Sequence, residues 1–416
     1  MSRKPICIGL FGFGSVGKGV YDVLQDAQGL QVSIKKICVK NPNKSRPIAD
    51  EFFTLDKDEI LNDPEINVIL ELTNDPEEAF EIVSEALKKG KAVVSANKSL
   101  VANYFTELLE LQKEYGSPLL YESACCASLP VIRNLEEYYD NDLLKCVEGI
   151  INGSTNYILT AMFRDNRTFA DALAEAQRLG FAESDPSLDV KGFDARYKLV
   201  LLLVHAFGLI VDPKELFCHG IDQINDLATT YAREKGYAIK LVAKAERHGS
   251  GVSAFVMPTF VRANHELSLV ADEFNGLAIE SSFAERQFFL GKGAGAYPTA
   301  LAVLSDVSAL TYGYRYEYKK LGQHQTAKLN KNPLVEVFVS FTAGNAEEIR
   351  QDLTQISESY QSASGQYFVG SIELDKLRHA AWLHREDVCV IQTPSPLKPV
   401  ISEVETEEIS LEAAAV

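Results

Sequence analysis

Four charged side chains crowd one stretch of the sequence, LGFAESDPSLDVKGFDARYKLVLLL: Glu183, Asp189, Asp194 and Lys198, with Asp185 between the first two. Asp194 and Lys198 are four residues apart with the acid first, the favourable order for an ion pair on one helix face. Gly192 precedes them and residues 199–204 are all apolar, so the helix carrying Lys198 is expected to be buried nearly all round. An ammonium there is costly unless it is paired or its proton is used. A polar pocket is the favoured setting, and an exposed first-turn salt bridge is the alternative.

Gly12-Phe13-Gly14-Ser15-Val16-Gly17 has the spacing of a dinucleotide cradle. The first glycine permits a tight turn, the second lets backbone amides approach a pyrophosphate, and the third lets helix and strand pack closely. The following helix N-terminus offers free N–H groups to phosphates. A Gly-rich structural turn is the alternative. Enzymes that take NAD usually carry an acid at the end of the second strand. Here the chain reads Val39-Lys40-Asn41, with Lys44 and Arg46 close behind, which favours the 2′-phosphate of NADP over NAD. An ordinary solvated basic turn remains open. Lys98, in Ser95-Ala96-Asn97-Lys98, directly follows a predicted strand and so falls at the carboxyl edge, where open α/β sheets bind ligands.

Other residues read as structural. Cys125-Cys126 has no histidine near it in sequence to serve as a base, so two small apolar residues in a tight turn is the better reading. The seven histidines show no HxxxH or HExxH spacing, and no transition-metal site is expected. His205 reads as a satisfied core histidine.

The elements that must hold these groups follow from pattern. Short apolar runs at 6–11, 32–39, 67–72, 91–95 and 118–122 alternate with helical stretches at 16–24, 76–89 and 101–115. Asp75, Pro76 and Glu78 mark a helix start, and Gly90 a stop. That alternation predicts α/β architecture with a doubly wound parallel sheet over residues 1–135. From 136 to 325 the order changes to a strand at 145–151, helices at 155–163, 168–179 and 193–207, then strands at 238–246, 252–262 and 267–280. This suits a second, α+β domain with a largely antiparallel sheet. A helix near 296–312 returns to the first domain. Residues 330–396 read β-α-β-α-β, with AEEIRQDLTQISESY as one helix, and form a small α+β appendage. Residues 397–416, with Glu403, Glu405, Glu407, Glu408 and Glu412, read as a solvated acidic tail.

Length and composition bound the function classes. The 416 residues suit two to three domains, and 41 basic against 58 acidic residues give a net charge of −17. That sign disfavours non-specific binding to nucleic acid or an anionic membrane. Seven cysteines without CxxC spacing, no signal-peptide pattern and no long apolar run point to a cytoplasmic enzyme in a reducing compartment.

Six stretches in order resemble homoserine dehydrogenases over residues 5 to about 312: GFGSVGKG (12–19), SANKSLVA (95–102), YESACCASLP (121–130), GIINGSTNYILT (149–160), residues 179–199, and GKGAGAYPTALAVLSDV (291–307). The resemblance implies a Rossmann domain, a catalytic domain that also dimerises, and reversible NAD(P)H-dependent reduction of L-aspartate 4-semialdehyde to L-homoserine. A homodimer or dimer of dimers is expected. By position, Lys198 would donate the proton to the carbonyl oxygen, and Lys98 would lie between cofactor and substrate with a place in the proton relay. Glu183 would hold the substrate ammonium, and Asp189 and Asp194 would orient substrate and Lys198. Gly153 and Ser154 would line the pocket, and Thr73 and Gly295 would meet the cofactor. A monovalent cation, Na+ or K+, would map to Glu122, Cys125, Ala127 and Leu129. A positioned, proton-bearing cation suits an oxygen that becomes alkoxide-like.

The sequence departs from that family at Phe181, where a Tyr is usual, and at Cys125-Cys126-Ala127-Ser128, which replaces a Gly-rich turn. The β-α-β-α-β reading of the appendage does not match the ββα-type amino-acid-sensing module of many bacterial relatives, so the resemblance does not carry threonine feedback over to it and feedback regulation stays open. Two other readings compete. An aspartate-semialdehyde dehydrogenase needs a Cys nucleophile with a His partner, which has no place here. A dinucleotide-sensing regulator leaves the Glu183–Lys198 cluster without purpose.

Overall fold

The structure, a computed structural model, describes residues 5–394 except 28, 30, 142, 323–326, 343–345 and 364; the acidic segment 397–416 lies outside them. Short β-branched runs such as ICIGLF, VILE and AVVS are buried on both faces, as parallel strands between helix layers must be. They form a six-stranded parallel sheet in the spatial order Phe53–Thr54, Val32–Cys38, Ile6–Phe11, Val68–Glu71, Ala92–Ser95, Leu119–Leu120. In chain order this is 3-2-1-4-5-6, the Rossmann arrangement. The switch in direction falls beside Ile6–Phe11, whose exit is the Gly12–Gly17 turn.

Two glycines of that turn, Gly12 and Gly17, are required sterically. Gly12 has φ +92°, and a Cβ on it would lie 2.6 Å from the Leu72 carbonyl oxygen. A Cβ on Gly17 would meet the Gly12 carbonyl oxygen at 2.3 Å. A Cβ on Gly19 would press on the Ala296 carbonyl at 2.8 Å, because helix Ala296–Leu310 packs closely on helix Ser15–Asp26. Helix Pro76–Lys88 begins as expected, with Asp75 accepting from the Glu78 N–H. The single helix expected over 101–115 is two, Lys98–Asn103 and Phe105–Tyr115. Asn97 caps the first by accepting from the Leu100 N–H, so Lys98 opens a helix instead of sitting in a loop.

The second sheet is mixed and runs Glu285–Lys292, Phe274–Ser281, Leu144–Ile150, Tyr237–His248, Gly251–Arg262, Cys389–Gln392, Leu334–Phe341, Gly365–Glu373, Gln355–Ser362. Helix Phe193–Phe207 packs on Leu144–Ile150, Tyr237–His248 and Gly251–Arg262. The strand expected over 267–280 is a hairpin of Phe274–Ser281 with the edge strand Glu285–Lys292. Residues 266–269 form a 3-10 turn instead. ERQFFLGK lacks the alternation that would mark a strand from sequence, since an edge position imposes little patterning.

The appendage corrects another expectation. AEEIRQDLTQISESY is not one helix: Ala346–Asp352 is helical and Gln355–Ser362 is a strand that pairs with Gly365–Glu373. The alternating QISESYQS suits a half-exposed strand, and pairing overrode the helical reading. The module is therefore βαββαβ with strand order 4-1-3-2, a ferredoxin-like arrangement. With this topology a β-α-β-α-β order no longer distinguishes the appendage from a sensing module. No helix among the described residues is long and apolar enough to cross a membrane.

Candidate active site

Helix Phe193–Phe207 starts after Gly192, whose φ of +79° turns the chain inward against Cys218 and Val256. Its first turn is thereby buried, and so are Asp194 and Lys198. The Lys198 Nζ lies 2.9 Å from Asp194 Oδ2 and donates to the Ile151 carbonyl at 2.7 Å. With side chains 9% and 6% exposed, this is no surface salt bridge. The other oxygen, Asp194 Oδ1, meets Lys98 Nζ at 2.9 Å. One carboxylate thus joins an ammonium from the Rossmann sheet edge to an ammonium from the second domain. Lys98 remains 36% exposed, so the pair opens to solvent on its side.

Asn152 was assigned no role from sequence and proves to be the hub. Its Nδ2 donates to Asp189 Oδ1 at 2.7 Å and to Asp194 Oδ2 at 2.9 Å. Its Oδ1 accepts from the Thr155 N–H and caps helix Gly153–Arg164. The pattern Asn-Gly-Ser-Thr at a strand-to-helix junction is the signal that would have found the cap. Asn152→Ala is expected to lower kcat for the native reaction by about 10- to 100-fold, since both acids lose a partner. It should also lower stability by about 1 kcal/mol through the lost cap. Steady-state kinetics and thermal melting check the two effects separately.

Charge in the cluster follows from burial and pairing. Burial opposes ionisation of Asp194, but the Lys198 and Lys98 ammoniums outweigh it and hold this carboxyl well below the usual range. Burial also acts against the Lys198 charge, yet Asp194 overcomes it and raises the lysine. Asp189 is raised, by burial first and then by the Asp194 charge. Glu183 is not part of this network: it is exposed, and its carboxylate has no hydrogen-bond or ion-pair partner among the described residues. The Ser154 hydroxyl donates to the Phe181 carbonyl at 2.6 Å.

At the Rossmann edge, Gly14 and Ser15 are exposed, and the space where a Gly14 Cβ would stand is open. No side chain caps helix Ser15–Asp26, so its first N–H groups are free for phosphate. Those residues fit a dinucleotide. Glu71, buried at the end of Val68–Glu71, accepts from the Thr73 N–H and hydroxyl at 2.7 and 2.6 Å and from Ser95 Oγ at 2.6 Å. It ties Thr73 to the turn that leads into Lys98. Gly295, at φ +119°, precedes helix Ala296–Leu310. Lys40 is ion-paired with Glu78, Lys44 is exposed, and Arg46 is turned back onto the Asn41 and Lys44 carbonyls and the Phe53 ring.

The Cys125-Cys126 thiols are buried 3.7 Å apart in the short helix Ser123–Cys126. Nearby, the Glu122 carboxylate accepts the Ile132 and Arg133 N–H groups at 2.9 and 2.8 Å. No group of three or more His, Cys, Asp or Glu among the described residues could hold a metal ion. A monovalent cation here would rely on the carbonyl oxygens of Cys125, Ala127 and Leu129. His205 is buried, as expected, between Tyr121 and Glu136.

A Rossmann sheet whose phosphate turn shares an edge with a lysine paired to a buried lysine–aspartate couple defines an oxidoreductase that uses a nicotinamide cofactor. The model of the homoserine dehydrogenase NAD-binding domain matches residues 12–122, and that of homoserine dehydrogenase matches 130–308. The Bacillus subtilis homoserine dehydrogenase is 37% identical over 321 residues, 75% of this chain and 74% of that protein. A homoserine dehydrogenase structure from Thiobacillus denitrificans superposes with a TM-score of 0.83 at 28% identity, over 94% of this chain and 99% of that one. A hyperthermophilic archaeal homoserine dehydrogenase in complex with NADPH aligns at 0.65 and 27% identity, over 75% of this chain and 99% of that one. The chain belongs to the homoserine dehydrogenase family. It interconverts L-homoserine and L-aspartate 4-semialdehyde, oxidising or forming a CH–OH group.

Proposed function

We propose that homoserine binds over the Lys98–Asp194–Lys198 cluster and that Lys198 exchanges the proton of its hydroxyl. The observation that carries this reading is the buried Asp194–Lys198 pair, 2.9 Å apart and bonded on its far side to Lys98. A nicotinamide cofactor, when bound, supplies or takes up the hydride. During oxidation a neutral Lys198 accepts the hydroxyl proton, and during reduction its ammonium returns one to the oxygen that gains charge. Asp194 stabilises the cationic form and holds both lysines in register. Lys98 lies between substrate and cofactor and passes the proton toward solvent on its exposed side. Glu183, with its carboxylate unpaired and exposed, receives the substrate ammonium, while Asp189, Gly153 and Ser154 line the pocket. At Phe181 no hydroxyl is available to help.

Gly12, Phe13, Gly14, Ser15, Val16 and Gly17 hold the pyrophosphate, while Lys40, Thr73, Lys98 and Gly295 meet other parts of the cofactor. The lack of an acid at the end of Val32–Cys38 and the presence of Lys40 and Lys44 support NADP as the favoured cofactor. The bound NADPH of the archaeal relative is consistent with that choice. Residues 1–135 bind cofactor, 136–325 carry catalysis and dimerisation, and 330–396 form the appendage of a cytoplasmic homodimer or dimer of dimers. The outer side of Glu285–Lys292, an edge strand, supports such pairing. The test is initial-rate formation of NADPH against NADH with L-homoserine: a higher kcat/KM for NADP is expected, and a preference for NAD would overturn the cofactor reading.

A further inference from the structure

Lys40 leaves the second strand of the Rossmann sheet, whereas Glu78 lies in the first turn of the helix after the fourth. In space those strands flank Ile6–Phe11, so the Lys40–Glu78 ion pair reaches across the exit of the strand that carries the Gly12–Gly17 turn. Both groups lie at the edge where the ribose of a dinucleotide meets the end of the second strand. We infer that Glu78 sets the cofactor preference by competing with a 2′-phosphate for the Lys40 ammonium. This rests on the reading of Lys40 as the phosphate-facing cation.

Three observations support it. Glu78 is rigidly delivered: Asp75 caps its helix by accepting the Glu78 N–H at 3.0 Å, and Pro76 fixes the first turn. Lys40 is 68% exposed and Glu78 35%, so the pair is solvent-screened, and a phosphate dianion can displace the carboxylate. Among the other cations near it, Lys44 is exposed, and two more are engaged with other groups. Arg46 is spent on the Asn41 and Lys44 carbonyls and on Phe53, and Lys57 is paired with Glu81. With NAD, the ribose hydroxyls leave the Lys40–Glu78 pair intact. With NADP, Lys40 must leave Glu78, which then faces a like charge. Glu78 therefore weakens NADP selectively and narrows the preference for it over NAD.

The test is the ratio of kcat/KM for NADP to that for NAD in the native chain, Lys40→Met, Glu78→Gln and the double variant, with homoserine saturating. Any loss of folded protein affects both cofactors and cancels in the ratio. Glu78→Gln is expected to raise the ratio about fivefold, mainly through a lower KM for NADP, as suits release of one exposed ion pair. Lys40→Met should lower it, and in that background Glu78→Gln should change it less than twofold. If Lys40→Met leaves the ratio unchanged, the phosphate-facing role of Lys40 fails and the inference with it. If Lys40→Met lowers the ratio while Glu78→Gln leaves it unchanged or lowers it, the role of Lys40 stands and the inference for Glu78 is overturned. A full fivefold gain persisting in the double variant would also overturn it, because Glu78 would then act without Lys40.

Discussion

Lys198→Met is expected to lower kcat in both directions by about 10³-fold or more, while KM for homoserine and for the cofactor changes little. Removing a general acid–base group alone typically costs about 10²–10⁴-fold. Here the same ammonium also stabilises the oxygen as it gains charge, which places the loss in the upper part of that range. At about 1.4 kcal/mol per decade, the expected loss of transition-state stabilisation is about 4 kcal/mol. Methionine suits the test because it occupies the buried volume without a charge, and Asp194 keeps Lys98 as a partner. Steady-state rates of homoserine oxidation and semialdehyde reduction measure the effect, and cofactor titration confirms that the fold persists. A variant that keeps a tenth of native kcat would exclude Lys198 as the proton-transfer group.

The second large effect is expected for Asp194→Asn. This change leaves two ammoniums facing a neutral amide, one of them buried, and loss of one partner of a buried pair costs about 3–5 kcal/mol in stability. A fall in kcat of about 10²-fold should accompany it, because Lys198 and Lys98 lose the oxygen atoms that orient them. The pH profile discriminates this from simple unfolding. Burial acts to lower the Lys198 pKa, and Asp194 reverses that, so that the net shift is upward. Without Asp194 the downward effect of burial loses its main opponent, and the Lys198 pKa must fall. Reduction needs the ammonium, so its decline with rising pH should move to lower pH. Oxidation needs the neutral amine, so its rise should also begin at lower pH. An unchanged profile with lowered kcat would separate Asp194 from the protonation of Lys198.

The parts of the fold visible in sequence are those governed by short-range geometry. Asp194 and Lys198 share a helix face because helical residues four apart are neighbours, and 199–204 announce burial by being apolar without interruption. Gly12, Gly14 and Gly17 are set by a single turn between a strand and a helix. The strand at 355–362 was hidden because its partners decide it. QISESYQS follows a good helix start, and only pairing with Gly365–Glu373 selects the extended form. Lys98 showed its position at the sheet edge but not its partner, and Asn152 showed neither partner.

Sequence alone determined the doubly wound sheet, the phosphate turn, the Asp194–Lys198 couple and the family, since each resides in local spacing or in an ordered set of short motifs. Tertiary structure decided which of the charged groups meet. It brought Lys98 and Asn152 to Asp194, left Glu183 exposed outside that cluster, and matched Lys40 with Glu78. The physical reason is range. A helical turn or a cap is specified by atoms a few residues apart, whereas an ion pair between elements depends on how whole layers pack and on how much water their packing removes.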